Sequence, residues 1–226
     1  MAKYFSFLLV LITAFSFFSC ADAEPELILA SASAVFDYAD DSSLPQTRLA
    51  VFVQMDSEVQ RAERLEMENR DTGYNWQVSS PRLFKNGEKQ WACYTNLQPP
   101  ANESLPTGVY DFRYVDAAGE EATSSFIVNY PAALLNSKAG DVSSLLTSVT
   151  ENLALFDKNK VLIFFGKTRS NWNSNSSILR DFNGAVTKRR CLSADNNRVV
   201  CMMPEESLFE KQAANTETED DDSDDN

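Results

Sequence analysis

The side chains available for chemistry in this 226-residue chain are 33 carboxylates, 20 basic groups and four cysteines, with no histidine. Serine and cysteine hydrolase triads, HExxH zinc sites and histidine pH switches all need an imidazole and are excluded. Two carboxylates can cleave a glycosidic bond, one as acid and the other as base or nucleophile. Here carboxylates are spread along the chain and no pair is singled out by its spacing. Gly166-Lys167-Thr168 ends an apolar run as a phosphate-binding loop would, but position 161, where that motif needs its first glycine, is valine. The acidic C-terminus lacks the ligand spacing and turn glycine of a calcium loop. No catalytic residue, metal site or cofactor is expected, and a carboxylate-dependent, glycosidase-like hydrolase stands as the alternative to a binding or structural module.

The cysteines carry more information. Residues 1–20 run from Met1-Ala2-Lys3 through an apolar stretch, Tyr4 to Phe18, to Ser19-Cys20. One base followed by such a stretch has the dimensions of a secretory signal, and it is short for a spanning helix, which needs about 20 apolar residues. Phe17-Phe18-Ser19-Cys20 resembles the lipobox of bacterial lipoproteins, in the relaxed form found in spirochaetes. The resemblance implies removal of the signal peptide 1–19, acylation of Cys20 and attachment to a membrane, on its periplasmic face or at the cell surface. Each buried methylene of a fatty acid such as palmitate contributes about 0.8 kcal/mol, and two chains suffice for stable anchoring. Residues 20–26, small, acidic and containing Pro25, fit a tether. A rival cut at Ala21-Asp22-Ala23 would leave Glu24 first and discard Cys20.

Period-two patterning dominates the region 27–130. Leu49, Val51, Val53 and Met55 alternate with Ala50, Phe52 and Gln54; Leu65 and Met67 alternate with charged neighbours; and Trp76/Val78, Trp91/Cys93, Tyr110/Phe112/Tyr114 and Phe126/Val128 continue the pattern between turn residues. This is the signature of half-buried strands, and without an intervening helical pattern it predicts an antiparallel two-sheet sandwich. Leu105-Pro106-Thr107-Gly108-Val109-Tyr110, followed by Asp116-Ala117-Ala118-Gly119, resembles the late strands of immunoglobulin-like and fibronectin type III domains. The resemblance makes Tyr110 the tyrosine-corner residue; the antibody-type inter-sheet disulfide is absent, because Cys93 has no partner cysteine in this region. Trp76, Trp91, Tyr94 and Tyr110 could form a carbohydrate platform, but alternating aromatics serve core packing and cross-strand pairing more often.

Region 131–209 reads as a small α+β subdomain. Val142, Leu145, Leu146, Val149, Leu153 and Phe156 recur at helical intervals behind Asp141, predicting a helix from about 141 to 156. A short strand at 161–165, one helical turn at 178–182 and a hairpin around Asp195-Asn196-Asn197 follow. Centred on Asn196, that hairpin puts Cys191 opposite Cys201, with Cα atoms about 4.5–5.5 Å apart, within disulfide range. In an oxidising compartment the two would form a bridge; two free thiols, or a register slipped by one, are the alternatives.

Charge is segregated. Nine bases stand against two acids between Lys158 and Met203, a balance of +7, whereas 204–226 holds one base and ten acids. The segment 210–226 is expected to be a disordered acidic tail. The basic residues Lys167, Arg169, Lys188, Arg189, Arg190 and Arg198 are candidates to bind an anionic glycan, lipid or acidic protein, unless the acidic parts of the same molecule neutralise them. Export and the acidic balance elsewhere disfavour nucleic acid.

Overall fold

Alternation along the first half becomes strand pairing around one core. The computed structural model describes residues 25–56, 61–101 and 103–209; the expectations for the signal peptide, Cys20 and the acidic tail lie outside the described residues. Among the described residues eight strands precede residue 130: β1 (Leu27–Asp37), β2 (Gln46–Met55), β3 (Ala62–Asn69), β4 (Asn75–Ser79), β5 (Arg82–Asn86), β6 (Lys89–Leu97), β7 (Gly108–Asp116) and β8 (Glu121–Val128). Leu49, Val51, Val53 and Met55 from β2 meet Leu65 and Met67 from β3 and Tyr110, Phe112 and Tyr114 from β7, all at most 1% exposed. Burying each such side chain is worth about 1.5–3 kcal/mol.

Turn chemistry sets the connections. Asn69 Oδ1 accepts the main-chain N–H groups of Asp71 and Thr72, both at 3.0 Å, and so bends the β3–β4 turn. Asp116 Oδ1 accepts from Ala118 and Glu120 in the β7–β8 hairpin. Gly108, at φ +128°, opens β7; a Cβ there would stand 2.8 Å from Asp71 Oδ2. The Tyr110 hydroxyl donates to the Pro106 carbonyl at 2.9 Å, tying β7 to the segment leading into it.

The second half corrects two expectations. Its elements are two short 3₁₀ turns at 132–136 and 139–141, α1 (Val142–Leu145), β9 (Thr150–Phe156), β10 (Leu162–Gly166), α2 (Asn175–Asp181), β11 (Thr187–Ala194) and β12 (Val199–Ser207). The predicted helix over 141–156 is one turn long and its second half is a strand. Leu153, Ala154 and Leu155 are consecutively buried because β9 lies between β10 and β11, and cross-strand packing overrides the 3.6-residue pattern. Nor is residue 131 the start of a separate subdomain. One sheet runs β10-β9-β11-β12-β1-β2-β6-β5, with β12 parallel to β1, while β4-β3-β7-β8 form the other. The hairpin side chains Leu192, Val199 and Cys201 share the main core with Phe36 and Tyr110. A satellite core of Leu153, Leu155, Trp172, Ile178, Ala185 and Leu208 lies where β9 meets α2.

The hairpin register also differs. A four-residue turn pairs Leu192 with Cys201 and Cys191 with Met202. This slip by one sends Cys191 and Cys201 to opposite faces, since successive side chains alternate. Both thiols, and that of Cys93, are free and buried.

Candidate binding cleft

The six basic candidates are dispersed and mostly engaged. Lys188 and Arg190 leave one face of β11 and Arg189 the other. Lys188 Nζ lies 3.1 Å from both Glu206 Oε2 and Asn175 Oδ1. Arg190 grips Glu151 through Nε at 3.0 Å and a second nitrogen at 3.3 Å. Arg189, half-buried, pairs with Asp37 and donates to the carbonyls of Tyr38, Met202 and Met203. Arg198 is 3.8 Å from Asp195 at the hairpin tip. Arg169 sits over the rings of Phe164, Trp172 and Phe182 and contacts Asp181 at 3.4 Å. Of these six, Lys167, just after β10, is the one that forms no ion pair with another described residue.

The aromatic candidates divide as well. Trp76 stacks at 5.9 Å on the buried Tyr110 and donates its indole N–H to the Gln98 carbonyl. Trp91 instead lies in the wall of a cleft of about 910 Å³ that runs beside β1. Phe84 from β5 stacks on it at 6.1 Å with the rings 8° from parallel. Leu29, Phe52, Ile127, Phe165 and Val200 add apolar surface. Leu29, Ile127 and Phe165 remain 46%, 54% and 55% exposed, so their apolar surface is open at the mouth. Hydroxyls and amides add polar groups to the lining, among them Ser31, Ser33, Ser193, Asn152, Asn196 and Asn197. Arg198 is the one charged residue in it among the described residues.

Local sequence explains why these groups converge. In Ala30-Ser31-Ala32-Ser33-Ala34 the period of two sends Ala32 and Ala34 into the core and the serines to the cleft side. The Ser33 hydroxyl donates to the Asn197 carbonyl at 2.6 Å and holds the β11–β12 tip against β1. Cys191 also lines the cleft, but burial pushes its thiol up from the ordinary value despite nearby Arg189. Burial, with a smaller contribution from Cys191, pushes Cys201 up to about 12. Neither thiol is a nucleophile at neutral pH. The Trp91 Nε1–H is buried without an acceptor among the described residues.

Sequence reasoning missed this cleft. The Ala/Ser alternation in β1 was a local signal for a strand with small polar side chains on one face, but its neighbours are far apart in the chain: Ser33 and Asn197 are 164 residues apart. No protein-family model, curated protein or solved structure matches the chain.

Proposed function

We propose that the chain is an exported bacterial lipoprotein, held on a membrane through acylated Cys20, whose immunoglobulin-like sandwich serves as a binding module with the β1 cleft as its binding surface. The observation that carries the binding role is the cleft: about 910 Å³ of aromatic and aliphatic wall with a few hydroxyl and amide groups. Ligand sites have this character and a volume of about 300–1,000 Å³. The Tyr110–Pro106 hydrogen bond supports the immunoglobulin-like comparison. The lipobox resemblance supports the anchor.

The ion pairs of Lys188, Arg189 and Arg190 favour neutralisation within the molecule over capture of an anionic glycan, lipid or acidic protein. Carboxylate hydrolysis is less well supported. The described carboxyl groups with displaced pKa values, Asp40, Asp111, Asp181 and Glu205, are all moved down by hydrogen bonds or neighbouring bases. A general acid needs the opposite displacement.

Growth with a labelled fatty acid tests the anchor: the wild type takes up label and Cys20→Ser does not. Equal labelling of the two would overturn it.

A further inference from the structure

Each of the eight strands of the larger sheet gives the cleft at least one residue, from Phe165 on β10 to Phe84 on β5. On β1, Leu29, Ser31 and Ser33 extend it over the face turned away from the core residues Ala34 and Phe36. Ser125, Phe126 and Ile127 of β8 stand along its side, across from Ala30 and Ala32. The cleft is therefore a furrow that crosses the strands, with β8 as one wall.

Its polarity changes along that path. Around the β11–β12 tip lie Ser33, Ser193, Asn196, Asn197 and Arg198, the last being the one charge in the lining among the described residues. Toward β5 lie Leu29, Phe52, Phe84, Trp91 and Ile127, with Asn86 at the far rim. The Arg198 side chain is 55% exposed and its contact with Asp195 spans 3.8 Å. Such a surface pair contributes little and leaves guanidinium N–H groups for a second anion. Strand register measures the distance between the two regions. The Arg198 carbonyl accepts the Ala34 N–H, whereas Trp91 stands opposite Gln54 and Gln54 opposite Leu29. The separation is about 15 Å along the strands and about 14 Å across them, or about 20 Å on the diagonal.

We infer that the cleft binds a free long-chain fatty acid, its carboxylate on Arg198 and its alkyl chain laid toward Leu29, Phe52 and Trp91. The inference rests on the proposed binding role of the cleft. A guanidinium offers a carboxylate two parallel N–H groups, whereas an ester of the same chain brings no charge to meet them. The diagonal matches the span of an extended long-chain acid. Its alkyl part covers apolar surface that stands open to water at Leu29 and Ile127. A sugar or peptide would bring several hydrogen-bonding groups against Leu29, Phe52 and Phe84, whose side chains offer them no partner.

The probe is a dansyl-labelled fatty acid with a free carboxyl group, bound to the full-length protein and displaced by oleic acid or by methyl oleate. The acid should bind about tenfold more tightly than the ester. Arg198→Gln should raise the Kd of the acid by about tenfold and leave that of the ester unchanged. Asp195→Asn, which removes the competing carboxylate, should lower the Kd of the acid, a gain that misfolding cannot imitate. Ser31→Trp, whose indole fills the furrow, should abolish binding of both. Acid and ester held alike by wild type, or a Kd for the acid that Arg198→Gln and Asp195→Asn both leave unchanged, overturns the carboxylate assignment and leaves the binding role standing. A probe that does not bind, or that binds wild type and Ser31→Trp alike, overturns both.

Discussion

The Asp181 carboxylate accepts the Trp172 indole N–H at 2.7 Å, joining α2 to the loop after β10. That hydrogen bond, helped by Asn171, Arg169 and Arg180 and opposed by burial, holds the Asp181 pKa below its ordinary 3.8. A carboxyl group with a depressed folded-state pKa contributes stability above its unfolded pKa and loses it as the pH falls through the folded value. Urea unfolding of wild type and Asp181→Asn should show a stability gap at pH 7 that narrows at pH 3. A gap of the same size at both pH values would contradict this role.

Arg169 closes the same satellite core from above. Its guanidinium carbon lies 4.9 Å from the Trp172 ring centroid, 5.5 Å from Phe182 and 5.7 Å from Phe164. Arg169→Ala should lower unfolding free energy by about 1 kcal/mol, and Arg169→Lys should recover part of the loss. Trp172 fluorescence during denaturation reports it. An alanine variant as stable as wild type would show that the guanidinium merely rests there.

Gly108→Ala sets a Cβ 2.8 Å from Asp71 Oδ2 and asks alanine to adopt φ +128°. The expected cost is about 1–3 kcal/mol, read as a lower Tm. Asp71→Ala removes the clash but not the strained φ, so it should rescue only part of the loss.

Tyr110 predicts alkaline behaviour. Burial pushes its hydroxyl up to about 12 against the hydrogen bond from its surroundings, while an unfolded tyrosine titrates near 10. Between these values the unfolded chain loses a proton that the folded chain keeps, so stability falls as pH rises above about 10. Tyr110→Phe should flatten that fall while lowering stability at pH 7 by about 1 kcal/mol through the lost bond to Pro106. An unchanged slope between pH 10 and 12 would contradict the assignment.

The cysteines supply a chemical count. Cys93, Cys191 and Cys201 are buried and free, so none should react quickly with a thiol reagent in the native protein, and all three should react once it is unfolded. A native mass 2 Da short of the reduced protein would instead mean that the hairpin shifts register and bridges Cys191 to Cys201.

How much of this was legible in the chain differs by element. Leu49 to Met55 and Arg64 to Glu68 alternate over their full length, and there pattern and strand agree. Asp71-Thr72-Gly73 and Asn86-Gly87 announced their turns because left-handed φ values favour glycine. The segment 150–156 reads as helix in the sequence because interior strands bury both faces, so the apolar positions of β9 satisfy a helical period equally well. A three-residue turn would pair Cys191 with Cys201, and the one extra turn residue reverses that relation. The basic run 188–190 looked like one patch, but its acidic partners Asp37, Glu151 and Glu206 come from three different strands or flanks that only the sheet order assembles. The cleft depends on where β12 begins relative to β1, a relation between distant segments that no local pattern carries.

The Trp91 indole N–H signal in the NMR spectrum tests the cleft as a binding surface most directly, because Trp91 lines it and Trp76 and Trp172 do not. Titration with a dansyl-labelled fatty acid, an apolar probe for the apolar wall, should move the Trp91 signal and leave the other two in place. A Trp91 signal that stays, or three indole signals that move together, would contradict the cleft as the binding surface.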